Sequence, residues 1–398
     1  MGVLSEQSEI TNQTAMKTRI QNLLLTLAIF AGIHQAAAQG TWTNIASMPT
    51  VLVEASGATF CGQFYAIDGT AGGSIEPPEV YNPATNGWSY KMPDPISRTM
   101  TAVGVISNKI YIAEGWGSAD INLSTTALEI YDPVADSWTN GTSSGIPRGN
   151  SATAVINGKL YITGGLASFS SGDISTLEIY DPTSDTWSTG QSLPIATEGA
   201  VGAAMNGEFY VVGGSARPSG GGASPAITNV FIYNPTNDSW SSGAPMPSPR
   251  AGAVGGVING KLYITGGTDS NGTNNPVVVY DPVANSWSMV AGEPTPRGLG
   301  VGVVVNGNLY VGGGYDQNNN PTSSAEVFTP ETPSPTLVIA AAGNQSVLFW
   351  PASATNYVLQ STTNLSSPNW VTASDAVPVI AFTVTNTSSA RFFRLQSQ

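Results

Sequence analysis

Histidine is almost missing from this chain. The one copy in 398 residues is His34, inside the stretch "MKTRIQNLLLTLAIFAGIHQAAAQG". That stretch has a charged start (Lys17, Arg19), an apolar run from Leu23 to Ile33 and an Ala36-Ala37-Ala38 step. It reads as a secretory signal peptide, since the run is too short to stay in a bilayer as a helix; an internal apolar helix is the other reading. Residues 1–15 then look like an extension ahead of the true start at Met16, and cleavage after Ala38 leaves a mature chain without histidine. Triad and Cys-His nucleophiles fall away, and so do His-ligated zinc and copper. Cysteine is equally scarce: Cys61 alone excludes an intrachain disulfide. Basic residues are few, 13 Lys and Arg against 26 Asp and Glu for a net charge of −13, so a nucleic-acid partner is excluded for want of clustered cations. After residue 40 no apolar run is long enough to span a membrane and little has a helical period. No cofactor or metal is expected.

What is abundant is Gly, Ser, Thr, Asn, Pro and Val, the composition of short strands and tight turns. One phrase recurs: "YNPATNGW" at Tyr81, "YDPVADSW" at Tyr131, "YDPTSDTW" at Tyr180, "YNPTNDSW" at Tyr233 and "YDPVANSW" at Tyr280. With Phe328 as a sixth anchor, the steps are 50, 49, 53, 47 and 48 residues. Ahead of each anchor stands a second phrase, "NGKLYITGG" (157–165 and 259–267), "NGEFYVVGG" (206–214) and "NGNLYVGGG" (306–314), with looser copies "CGQFYAIDG" (61–69) and "NKIYIAEG" (108–115). Each unit reads as four strands. Asn-Gly makes a type I′ hairpin between the first two, Asx-Pro turns the chain between the last two, and the last carries the Trp. Asp132, Asp181 and Asp281 are turn acceptors in this reading, and the phrase is scaffold. A Gly pair, a Tyr and a spaced Trp repeated at this period resemble the kelch family over roughly residues 40–330, which implies a β-propeller.

The sixth unit lacks its Trp, and a spare one stands in "TWTNIASMP" (41–49). The expectation is an all-β protein: a six-bladed kelch β-propeller over residues 39–331, closed by an N-terminal strand beside Phe328, then a linker at 332–336. Residues 337–398 alternate strand-length apolar runs with Asn/Ser/Pro turns and resemble a fibronectin-III-like module, a small β-sandwich that sorts, anchors or binds, or serves as a spacer.

Candidate binding residues lie where the scaffold leaves variation. The loops after the Gly pairs differ in every repeat and carry Trp116 and Tyr315, aromatics outside the repeat positions, with Glu114 in place of a glycine beside Trp116. An acid beside an aromatic suits sugar, though a surface residue without a role fits as well. The connections "PISRTM", "GIPRGN", "IATEGA", "PSPRAG" and "PTPRGL" align Arg98, Arg148, Glu198, Arg250 and Arg297, with Glu54 near the matching place in the first blade. The kelch resemblance implies that this position points toward the channel mouth. Two uses stand open: guanidinium groups gripping an anion or sugar, or guanidinium groups satisfying carbonyls and acids around the opening.

The function expected is a secreted, periplasmic or cell-surface binding protein, non-catalytic, with a glycan or protein ligand at the mouth. The alternative is a sugar-acid epimerase or mutarotase resembling N-acetylneuraminate epimerase, a six-bladed kelch protein, with Glu54 or Glu198 as acid/base and the arginines on the substrate carboxylate. The copper-radical chemistry of galactose oxidase, which also contains kelch repeats, needs histidines that the mature chain lacks.

Overall fold

The computed structural model describes residues 40–397 apart from 73, 118–123, 169–171, 218–223, 270–271, 274–275, 332–336 and, in the C-terminal unit, 343–344, 350–356, 365–367, 373–380 and 386–391. The expected signal segment and linker lie outside the described residues. Two compact units divide the chain, Met1–Glu331 and Thr332–Gln398.

The first unit is a β-propeller of six antiparallel blades, each a run of four strands, with a short fifth strand, Gly272–Thr273, added in blade 5. Their inner strands are Ser56–Phe60, Ala102–Ile106, Ala152–Ile156, Val201–Met205, Ala251–Ile258 and Val301–Val305, opening blades 1 to 6 in chain order. Each inner strand packs on the next, and the sixth returns to the first. Crowding at the axis demands small residues: a Cβ on Gly202 would sit 2.3 Å from the Thr153 carbonyl oxygen. The hairpins leaving the inner strands take positive φ at both central residues, as at Asn157 (50°) and Gly158 (74°). Cys61 and Gly62 adopt the same conformation, so Cys61 is an exposed turn residue.

The repeated phrase holds blade to blade. In "YDPVANSW" the Asp281 carboxylate accepts from the Val283 and Ala284 amides, the expected turn, and meets Lys261 at 3.0 Å. Asn285 has φ of 46°, and its side-chain oxygen accepts both the Tyr280 hydroxyl and the Ala244 amide of the preceding blade's exit. Asn86, Asp136, Asp185 and Asp238 repeat this double acceptance at 2.5–2.9 Å. Only a short side chain that tolerates left-handed backbone and carries an acceptor fits there, which explains Asx at the sixth letter. Each Trp then packs on its Tyr at 4.8–5.2 Å and donates its indole N–H to the preceding blade.

Closure follows the expected route. Gly40–Asn44 is the outer strand of blade 6 and pairs with Ala325–Pro330, Trp42 opposite Phe328 with ring centroids 5.3 Å apart. Trp42 donates to Ala291 of blade 5, and Trp88 of blade 1 donates to Ala46, so the belt of indole bonds has no break. The second-strand tyrosines bridge the same seams from inside, for example Tyr210 on Tyr280 and Tyr310 on Tyr81.

The second unit contains two three-stranded sheets, one of Val338–Ala342, Gln345–Phe349 and Ala381–Thr385, the other of Tyr357–Thr362, Val371–Thr372 and Phe392–Ser397. No helix among the described residues is long and apolar enough to cross a membrane.

Trp240 packs on Tyr233 and Phe209 and donates to Gln191 at 2.8 Å. Trp240→Ala is expected to cost about 3 kcal/mol, the low end for a large aromatic because the indole is only partly buried. Urea unfolding should show a lower midpoint at unchanged slope.

Candidate functional site

A hydrogen-bonded ring of backbone encircles the channel mouth. The Glu54 amide donates to the Leu299 carbonyl, Met100 to Glu54, Asn150 to Met100, Gly199 to Asn150, Gly252 to Gly199 and Leu299 to Gly252, all at 2.8–2.9 Å. Every member has φ between 52° and 64°. Beside each ring residue, the inward connection bridges to the variable loop of its own blade, as Thr99 to Trp116, Glu198 to Ser215 and Gly298 to Tyr315. The loops therefore share the ring's end of the propeller. Below the ring lies a cavity of about 320 Å³, lined by Glu54, Ser56, Met100, Thr101, Asn150, Thr153 and Leu299 among small residues.

The arginines do not reach this cavity, which corrects the expectation that they offer a ligand-binding mouth. Arg98, Arg148, Arg250 and Arg297 are at most 1% exposed. Each clamps the base of its own blade's loop. Arg148 donates to the Gly164 and Thr176 carbonyls, Arg98 to Glu114 and Ala127, Arg250 to Gly266 and Pro276, and Arg297 to Gly313 and Ser324. Three of the four also meet acids. Arg148 pairs with Glu178, and Arg297 with Glu293 and Glu326; Arg98 pairs with Asp94 at 3.0 Å. Of the two open uses, internal satisfaction is the one the geometry carries. Burial even lowers Arg250 to a pKa of about 10, because no acid in its blade takes the place of Glu178 or Glu326: that position is Val278.

Glu114 and Trp116 are corrected likewise. Glu114 stands at a first-glycine position with φ of 59°. At the equivalent glycines a Cβ would point at the next blade, as Gly164 does at the Thr197 carbonyl. The Glu114 carboxyl is accordingly buried, 3.3 Å from Arg148, and burial lifts its pKa to about 8 against the pull of that guanidinium. Trp116 is 5% exposed, lies over Gly149 and donates to the Leu166 carbonyl. Neither faces a sugar on an open loop.

Glu198 stays at the mouth, one residue out of its expected register. The carbonyl that Arg148 and Arg250 offer to the preceding blade's second glycine is offered here by Thr197. Glu198 is thus the residue before ring member Gly199. Its carboxylate accepts from the Asn150 amide at 3.5 Å and lies 3.5 Å from Arg217, which also meets Asp173. Burial, then the charge of Asp173, raises the Glu198 pKa. Glu54, a ring member, has its pKa raised by burial, and the Thr99 side chain bonds it. Tyr315 is half-buried, and after burial the charge of Glu54 raises its pKa. Sequence reasoning missed Met100, Asn150, Leu299, Asp173 and Arg217. Gly and Asn at ring positions hint at left-handed backbone, but Glu, Met and Leu hide the pattern. No group of three or more His, Cys, Asp or Glu side chains placed to hold a metal occurs among the described residues.

Two expectations follow. Arg148→Met leaves Glu178 and Glu114 in the wall without their guanidinium, so about 3–5 kcal/mol should be lost in urea unfolding. Glu79 is buried in blade 1, where Leu52 stands in the arginine's place, and burial lifts its pKa to about 7. A raised carboxyl stabilises most below its unfolded value of about 4.3 and loses that contribution as pH climbs through the folded value. Stability should fall between about pH 4 and about pH 7, and Glu79→Gln should flatten that fall.

Residues 97–145, 147–194, 197–247, 249–292 and 296–334 each match the family model described as Kelch motif, together more than half of the chain. Blade 1, whose pair reads Asp68-Gly69, lies outside the matched stretches. A solved structure titled "Structure of YjhT" aligns with a TM-score of 0.60 at 18% identity, covering 72% of this chain and 99% of that one, a likeness of fold. Among curated proteins nothing matches. Five successive repeat matches and a six-bladed ring built from the same phrases make this chain a member of the Kelch motif family.

Proposed function

We propose that this is a secreted or surface-displayed, non-catalytic binding protein that holds a glycan or a protein loop at the propeller mouth. The C-terminal unit, read as a fibronectin-III-like module, assists display. Kelch propellers are in general binding scaffolds. The observation that carries the reading is the juxtaposition at the ring. Glu54 and Asn150, with Glu198 and Tyr315 beside them, surround a cavity of about 320 Å³ on the end where the loops vary. Variable side chains on a rigid backbone frame are where recognition is built without disturbing the fold.

The sugar-acid epimerase reading has weaker support, because it needs guanidinium groups for the substrate carboxylate and the four wall arginines are committed to carbonyls and acids. A thermal-shift screen of the chain against mono- and oligosaccharides, N-acetylneuraminate included, separates the readings. A ligand at a hundred times its Kd adds about 2.7 kcal/mol. The shift should vanish in Asn150→Gly, which keeps the ring backbone. A shift that survives both Asn150→Gly and Glu54→Gln would place the ligand elsewhere. If N-acetylneuraminate binds, its epimerisation or mutarotation can be followed by NMR.

A further inference from the structure

Four hydroxyls line the cavity under the ring, and two of them have spent their protons while those of Thr101 and Ser151 are unpartnered. The Ser56 hydroxyl donates to the Thr101 carbonyl at 2.7 Å, and the Thr153 hydroxyl donates to the Val103 carbonyl at 3.3 Å. Both residues line the cavity, so toward any occupant they offer oxygen lone pairs. The Asn150 amide nitrogen is turned to Glu198, which leaves its carbonyl oxygen. Glu54 adds a carboxylate at the rim.

The ring members on either side of Glu54 are apolar. Ring order places it between Leu299 and Met100, both lining the cavity, and Tyr315 is close enough for its phenol to feel the carboxylate. Gly199 and Gly252 carry no side chains to narrow the opening. The charge balance favours a cation. Glu54, Glu198 and Asp173 stand against Arg217, which is itself engaged by the last two, and the whole chain carries −13. The wall arginines are sealed behind the lining.

Resting on the mouth as the ligand site, we propose that it takes a primary alkylammonium group, with the ammonium at Glu54 and the apolar stem against Met100 and Leu299. An ammonium has three donors and no acceptor, the complement of this lining. Its methylenes suit the apolar collar in the way lysine stems cover apolar surface. A sugar brings hydroxyls that must accept as well as donate, and of the four lining hydroxyls those of Ser56 and Thr153 have no proton to give, which leaves Thr101 and Ser151. A carboxylate would meet Glu54 and Glu198 as like charges. The same chemistry has two sources, a lysine of a partner protein or a free alkylamine.

The test is calorimetric titration of the full chain with pentylamine, with acetyl-Gly-Lys-Gly-amide and with the same peptide acetylated on its lysine nitrogen, beside N-acetylneuraminate and galactose. The free-lysine peptide is expected to bind at least tenfold more tightly than its acetylated form. Glu54→Gln should weaken it tenfold or more without moving Tm, and acidification through the raised Glu54 pKa should weaken it in the wild type. A peptide that binds more tightly than pentylamine points to a protein lysine; equal affinity points to a free amine. Equal binding of both peptides, or no effect of Glu54→Gln, would overturn the ammonium assignment. Should Glu54→Gln not fold, the comparison of the two peptides on the wild type still decides. A sugar that binds and is lost in Asn150→Gly, with no amine bound, would overturn the ammonium and leave the mouth standing. Failure of every probe would overturn both.

Discussion

Six blades can share an axis only if something fixes how closely they approach, and here that is the ring of amide-to-carbonyl bonds from Glu54 through Leu299 and back. Each bond crosses from one blade to the next, so the ring exists only when all blades are present. It forces left-handed backbone on Glu54, Met100, Asn150 and Leu299 as well as on two glycines, at about 1 kcal/mol for each non-glycine residue. Those side chains consequently project from a rigid hoop. The outer belt of indole and Asx bonds repeats the same closure at larger radius, and the strand at Gly40–Asn44 joins both ends of the unit into it.

The wall between hoop and belt is unusually ionic for a protein with so few cations. Arginine on the inward connection and glutamate on the third strand occur together in blade 2 (Arg98, Glu129), blade 3 (Arg148, Glu178) and blade 6 (Arg297, Glu326). Blade 5 keeps only Arg250, blade 1 only Glu79, and blade 4 has Thr197 and Phe231. Asp68 and Glu114 add acids that reach from one blade to the arginine of the next, at 3.9 and 3.3 Å. Such pairs contribute little net stability compared with apolar packing, yet breaking one is costly. Their geometric effect is plain: each guanidinium ties the two feet of a variable loop, so loop sequence can drift while its ends stay fixed. The four arginines thus hold the loops from behind, and Glu54 and Glu198 stay at the mouth.

The sequence by itself determined the architecture. A phrase at a period near 50 residues states blade size, Asn-Gly states where hairpins turn, and the unpaired Trp42 states where the ring closes. These signals are local: each depends on backbone conformation or on one aromatic contact that recurs in every copy. The roles of Asp132, Asp181 and Asp281 were legible for the same reason. The direction of the arginine side chains was not legible. Position along a connection says that Arg148 lies near the axis. Whether it turns into the cavity or back into the wall depends on Gly164, Thr176 and Glu178, which arrive from other strands. A one-residue slip at Thr197-Glu198 is likewise invisible until the carbonyl that bonds Gly165 is identified. Charge placement is a sum over neighbours brought together by folding, so only the tertiary structure could decide that Arg98, Arg148, Arg250 and Arg297 belong to the frame while Glu54 and Glu198 stay at the mouth.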